Sequence, residues 1–131
     1  MVRSRAPKKP DARILVVEDE PALRNMYKTW LLQAGYRVET ADNGVAAVEK
    51  TLHERPDLVL LDVLLPKKDG FEVLAELRRN PKTKTLPVII LSSLDQDFEQ
   101  RQGLNLGAER FLVKTSISPE ILFTTIREVL A

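Results

Sequence analysis

Five residues of this chain could do chemistry together: Glu18, Asp19, Asp62, Ser92 and Lys114. Each closes a short apolar run. Arg13–Val17 leads into Glu18 and Asp19, with Glu20 behind, and Leu58–Leu61 leads into Asp62. Pro87–Leu91 leads into Ser92, and Arg110–Val113 into Lys114. A charge inside such a run would be costly to bury unpaired, but the end of a run can open to water. Three carboxylates brought together repel one another and call for a cation. With oxygen donors alone, the hard ion Mg²⁺ fits best and keeps several waters. One carboxylate can then be a nucleophile that forms an aspartyl-phosphate. A hydroxyl and an ammonium group are suitable donors to phosphoryl oxygens. Asp62 by itself has a second reading, as a cap for the helix that follows it.

This chemistry requires elements that deliver all five residues to one place. Leu58–Leu61 is apolar without alternation, which predicts a strand buried on both faces. Arg13–Val17, Tyr36–Ala41, Pro87–Leu91 and Arg110–Val113 also read as strands, the second of them at an edge. Between them the spacing turns helical. Pro21 opens a helix that carries Leu23, Met26, Tyr27, Trp30, Leu31 and Ala34 and stops at Gly35. Trp30 lies on that apolar stripe and reads as core. Asp42 or Asn43 caps a second helix, which ends before Pro56. His53, the single histidine, is expected at the surface. A third helix starts near Gly70 and runs to Asn80, and a weaker fourth spans Asp95–Leu106. Gly103 inside the fourth costs about 1 kcal/mol relative to alanine, so that helix is expected to be mobile. Ser118, Pro119 and Glu120 open the last helix.

Five strands and five helices in strict alternation predict an α/β fold: a single doubly wound domain on a parallel sheet with right-handed crossovers. In such sheets ligands bind outside the carboxyl ends of the strands, where the five residues would meet.

The chain has 131 residues, 44% hydrophobic and 30% charged, as expected of one globular domain. It has no cysteine, which excludes disulfides and thiolate metal sites. No apolar run approaches the length of a membrane span and no signal peptide is visible, so a cytoplasmic location is expected. The net charge is +1, but Arg3, Arg5, Lys8 and Lys9 sit in the first ten residues without an acid; the remainder keeps 16 basic and 19 acidic residues, a net −3. Residues 1–11 therefore read as a basic disordered arm and 12–131 as the domain.

Taken in order, the segments Val16-Val17-Glu18-Asp19-Glu20-Pro21, Leu61-Asp62-Val63-Leu64-Leu65-Pro66 with Asp69-Gly70, Leu91-Ser92-Ser93, Leu106-Gly107-Ala108 and Phe111-Leu112-Val113-Lys114 resemble the receiver domains of two-component response regulators. The resemblance covers nearly the whole chain. It implies a flavodoxin-like sheet of strand order 2-1-3-4-5. It also implies a signalling domain rather than an enzyme, one that assists its own phosphorylation and dephosphorylation. Asp62 would take a phosphoryl group from the phosphohistidine of a histidine kinase or a histidine phosphotransfer domain. Mg²⁺ would be held by Asp19 and Asp62, by the backbone carbonyl of Leu64, and through water by Glu18. Ser92 would bond the phosphoryl group and move with it, Lys114 would pair with it, and Phe111 would be the aromatic switch. The face made by the fourth helix, fifth strand and last helix would then change its affinity for a downstream protein or for a second copy of the chain. Nucleic acid is not an expected partner of this domain, and no output domain is expected within the chain.

Leu65 stands where methionine is common in the family and Glu18 where aspartate is, both conservative changes. Two features depart further from the family pattern. Thr115 follows Lys114 where proline is usual, so a cis peptide there is expected to be lost. Leu64 and Leu94, beside the expected path of an attacking water, offer it no hydrogen bond, and slow loss of the phosphoryl group is expected. Two other classes compete. A pseudo-receiver would share the fold and bind partners without phosphorylation, but here every site residue is chemically intact. A flavin-binding electron carrier needs a phosphate-cradling loop after the first strand; the acids at 18–20 would repel that phosphate.

Overall fold

A computed structural model of the chain describes residues 11–93 and 97–131. The basic arm, apart from Asp11, lies outside the described residues, as do Leu94 and Asp95. The element order is β1 (Arg13–Val17), α1 (Pro21–Gln33), β2 (Arg37–Ala41), α2 (Gly44–Glu54), β3 (Leu58–Asp62), α3 (Gly70–Arg79), β4 (Val88–Ser92), α4 (Asp97–Asn105), β5 (Arg110–Val113) and α5 (Pro119–Leu130). A single 3₁₀ turn, Lys114–Ser116, follows β5.

All strand pairs are parallel and the sheet order is β2-β1-β3-β4-β5. The two-residue period of the strands divides the core. Leu15, Val17, Val59, Leu61, Val88 and Ile90 pack on one face with α2 and α3, through Ala47, Val48, Val73, Leu74 and Leu77. Ile14, Val16, Leu58, Leu60, Ile89 and Leu91 face the other way, toward Tyr27 and Leu31 of α1 and Leu122 and Ile126 of α5. Each such side chain contributes roughly 1.5–3 kcal/mol on burial, which is why β1 carries no charge after its exposed first residue Arg13, β3 none before Asp62 and β4 none at all.

Local chemistry sets the boundaries. Asn43 Oδ1 accepts the amide of Ala46 at 2.8 Å and caps α2. Asp69 and Glu72 form a reciprocal capping box at the start of α3, with bonds of 2.9 and 3.0 Å. The cap of α3 is thus Asp69, and Asp62 is free of that duty. Gly35 and Gly107 take φ of +97° and +103°, the left-handed turn that glycine tolerates after a helix. Trp30 is half-buried and meets Tyr27 edge to face at 5.7 Å. His53 is exposed. Gly103 has a packing reason that the sequence reading did not supply. A Cβ there would stand 2.7 Å from Ile90 Cδ1 and 3.3 Å from Phe111 Cδ2, so the glycine lets α4 lie close on β4 and β5.

Candidate functional site at the carboxyl edge of the sheet

The acidic turn after β1 is held by its own neighbours. The Glu18 amide donates to the Ala41 carbonyl at 3.0 Å, extending the β1–β2 ladder by one residue. Glu18 Oε2 accepts the Glu20 amide at 3.1 Å, and Glu20 Oε1 accepts that of Ala22 at 3.0 Å, capping α1. From one turn into α1, Arg24 reaches back and donates to the carbonyls of Glu18 and Asp19 at 3.0 and 3.3 Å. Sequence reasoning missed Arg24, because its role appears only once α1 has folded over the turn.

Asp62 ends β3 beside Leu91 of β4. The loop behind it is closed by the Gly70 amide, which donates to the Val63 carbonyl at 2.8 Å. A Cβ on Gly70 would lie 2.2 Å from the Asp62 carbonyl oxygen, so this closure requires glycine.

Lys114 arrives from the end of β5. Its Nζ donates to Glu18 Oε1 at 2.5 Å and contacts Asp62 Oδ2 at 3.1 Å. The Lys114–Thr115 peptide is trans, and the lysine spans both carboxylates without a following proline.

Oxygens of Glu18, Asp19 and Asp62 all lie within 4.8 Å of one another. Glu18 and Asp62 are buried, at 2% and 5% exposure, while Asp19 opens to solvent. Burial, and then the charge of Glu18, push the Asp62 pKa up to about 6, with Lys114 pulling the other way. Burial works against the charge of Lys114, but its hydrogen bond to Glu18 and the charge of Asp62 outweigh it and hold the ammonium above its ordinary range. Both directions follow from the distances. The lysine sits closer to Glu18, so Asp62 keeps a carboxylate neighbour and only part of a cation. Tyr27, beneath the cluster, is raised by burial and also feels the charges of Lys114, Glu18 and Asp62.

The remaining expected residues lie on β4, on β5 and in the loop after β3. Ser92 is fully buried at the end of β4, opposite Val113. Leu64, two residues past Asp62, is 56% exposed. Phe111 is half-buried on β5, against α4 at Gly103. Three carboxylates against one ammonium leave net negative charge in a pocket of oxygen donors, a donor set that fits Mg²⁺. A cavity of about 400 Å³ at the opposite edge of the sheet, lined by Arg55, Asp57, Lys82 and Pro87 among others, includes none of these groups.

Comparisons with known proteins bear on this geometry. The family model described as response regulator receiver domain matches residues 14–127. The DNA-binding dual master transcriptional regulator RpaA of Synechocystis is 38% identical over 110 residues, covering 84% of this chain and 46% of its own. The chain thus spans about half the length of that curated relative. The chemotaxis protein CheY4 of Vibrio cholerae superposes with a TM-score of 0.84 at 34% identity, over 90% of this chain and 98% of its own. The receiver domain of a Pseudomonas aeruginosa sensor histidine kinase, solved with a magnesium ion coordinated in the active site cleft, gives a TM-score of 0.84 at 27% identity, over 91% of this chain and 97% of its own. No helix among the described residues is long and apolar enough to cross a membrane. With its sheet order, its acidic centre and this match over most of its length, the chain belongs to the receiver domains of two-component response regulators.

Proposed function

We propose that Asp62 accepts a phosphoryl group from a phosphohistidine, carried by a histidine kinase or a histidine phosphotransfer domain. An Asp62 carboxylate oxygen attacks phosphorus, the N–P bond breaks, and the imidazole leaves with the electron pair. The observation that carries this reading is the meeting of Glu18, Asp19 and Asp62 within 4.8 Å, with Lys114 across two of them. Asp19, Asp62 and the Leu64 carbonyl would hold Mg²⁺ directly, with Glu18 one water away. When bound, the ion supplies positive charge that neutralises phosphoryl oxygens. Lys114 would pass from its carboxylates to the incoming oxygens, and the Ser92 hydroxyl would donate to one of them. The protein then acts as a signalling domain and not as an enzyme on a separate substrate. Wild-type protein given acetyl phosphate and Mg²⁺ should gain one phosphoryl group by intact mass; absence of uptake would favour a binding module of the same fold.

The output would leave through α4, β5 and α5. Phe98, Leu104 and Ile121 expose apolar surface there, at 66%, 48% and 45%, which suits a downstream protein or a second copy of the chain. Phe111 would couple Ser92 to this face, since its ring lies against Gly103 of α4. Amide exchange in α4 should change when beryllofluoride and Mg²⁺ are added. An exchange pattern in α4 identical with and without them would count against this face.

Leu64 is expected to prolong the phosphorylated state. It stands exposed two residues past the acceptor and offers no group to orient water. General acid–base assistance is worth typically 10²–10⁴-fold, and an amide that only orients water should supply about tenfold. Leu64→Asn should therefore speed phosphoryl loss by about tenfold, followed after donor removal. An unchanged decay would show that Leu64 does not control water. Leu94, the other expected position, lies outside the described residues.

A further inference from the structure

The loop between Asp62 and α3 is fastened at a second point, by the first residue of α2. The Gly44 amide donates to the Pro66 carbonyl at 3.2 Å. The same carbonyl accepts the Lys68 amide at 2.8 Å, closing a γ-turn whose central residue, Lys67, has φ of +72°. For a residue with a side chain this turn is strained, and it persists only where its surroundings hold it. Gly44 is part of what holds it. A Cβ at position 44 would lie 1.9 Å from the Lys68 carbonyl oxygen and 2.6 Å from its carbonyl carbon. These obstacles are backbone and cannot swing aside as a side chain end can.

We infer that Gly44 is a positioning residue for the acidic centre: by admitting the Lys68 carbonyl and bonding that of Pro66, it fixes the loop that carries Leu64. The loop is then pinned at Val63 by Gly70 and at Pro66 by Gly44, with Leu64 and Leu65 between the two points. The inference rests on the reading of Asp62 and the Leu64 carbonyl as the Mg²⁺ site. Its content is that the affinity of that site depends on a glycine in another helix, which touches none of the carboxylates. Groups that orient metal ligands without binding the metal are typically worth 10–100-fold in affinity.

The test is Mg²⁺ titration by calorimetry on wild type, Gly44→Ala and Val48→Ala. Val48 faces the core from the same helix and serves as a control for simple destabilisation. Gly44→Ala should raise the Mg²⁺ Kd by about 10–100-fold, with Val48→Ala close to wild type. A folded Gly44→Ala that binds like Val48→Ala would overturn the inference while leaving the Mg²⁺ site itself intact. A wild type that binds no Mg²⁺ would overturn both. Should Gly44→Ala fail to fold, amide exchange in the wild type decides. Saturating Mg²⁺ should slow the Gly44 amide by about tenfold and leave the Ala47 amide, bonded within the helix start to Asn43, unchanged. Equal behaviour of the two amides would overturn it.

Discussion

Asp19→Asn is expected to weaken Mg²⁺ binding by about 100-fold or more, and Glu18→Gln by about tenfold. The two residues are adjacent in sequence and both acidic, yet their surroundings separate them. Glu18 is 2% exposed and its carboxylate is already engaged, by Lys114 at 2.5 Å and by the Glu20 amide at 3.1 Å. Asp19 opens to solvent, with its backbone held by Arg24. A carboxylate at the mouth can give its full charge to an entering ion. One that is buried and bonded acts chiefly through the field. Loss of a directly bound carboxylate removes both a donor and a charge from a site that has few of either. Titration calorimetry at neutral pH checks the order. Glu18→Gln having the larger effect would exchange the two roles.

Asp62→Asn is expected to make the metal-free domain more stable at pH 7, by about 1–3 kcal/mol. Buried beside Glu18, the Asp62 carboxyl titrates near 6, against 3.8 in an open chain. Between those values the folded protein binds the proton more tightly than the unfolded one, so this group's contribution to stability falls as pH rises. The fall begins near pH 4 and is complete just above 6, amounting to on the order of 3 kcal/mol. Asparagine removes the buried charge and its repulsion with Glu18, while Lys114 keeps its shorter bond to Glu18. Urea unfolding in the presence of a chelator should show the variant ahead at pH 7 and the two proteins converging near pH 4. A variant equal to or weaker than wild type at pH 7 would mean that Lys114 fully compensates Asp62. The instability belongs to the site, since a cluster made to receive a cation is uncomfortable without one.

The strands and the centre were legible because each signal is local. An apolar run that stops at Glu18, Asp62, Ser92 or Lys114 announces both a strand and the end of it, and strict alternation with helices puts those ends on one edge. Pro21, Asn43, Ser118 and Pro119 likewise mark helix starts by chemistry within a few residues. Asp62 taken by itself could be read as a helix cap, and only the structure shows Asp69 in that role. What stayed illegible depends on distances between elements far apart in sequence. Arg24 folding back on the acidic turn, Tyr27 lying under the cluster, Gly44 against the Lys68 carbonyl and Gly103 against Phe111 leave no periodic mark. Gly103 is instructive. Helix propensity reads it as a weak point, whereas packing reads it as the place where α4 needs no side chain. The 3₁₀ turn after Lys114 was also unseen, because nothing in Lys114-Thr115-Ser116 distinguishes it from a loop.

The central claim is that Asp62 is the phosphoryl acceptor, and chemical trapping addresses it directly. Protein treated with acetyl phosphate and Mg²⁺ is reduced with borohydride, which converts an acyl phosphate but spares free carboxylates and phosphoserine. Peptide mass spectrometry then locates the reduced residue. Reduction at Asp62 alone in the wild type, and none in Asp62→Asn, is the expected result. Reduction at Glu18 or Asp19, a stable phosphate on Ser92, or undiminished uptake by Asp62→Asn would contradict it.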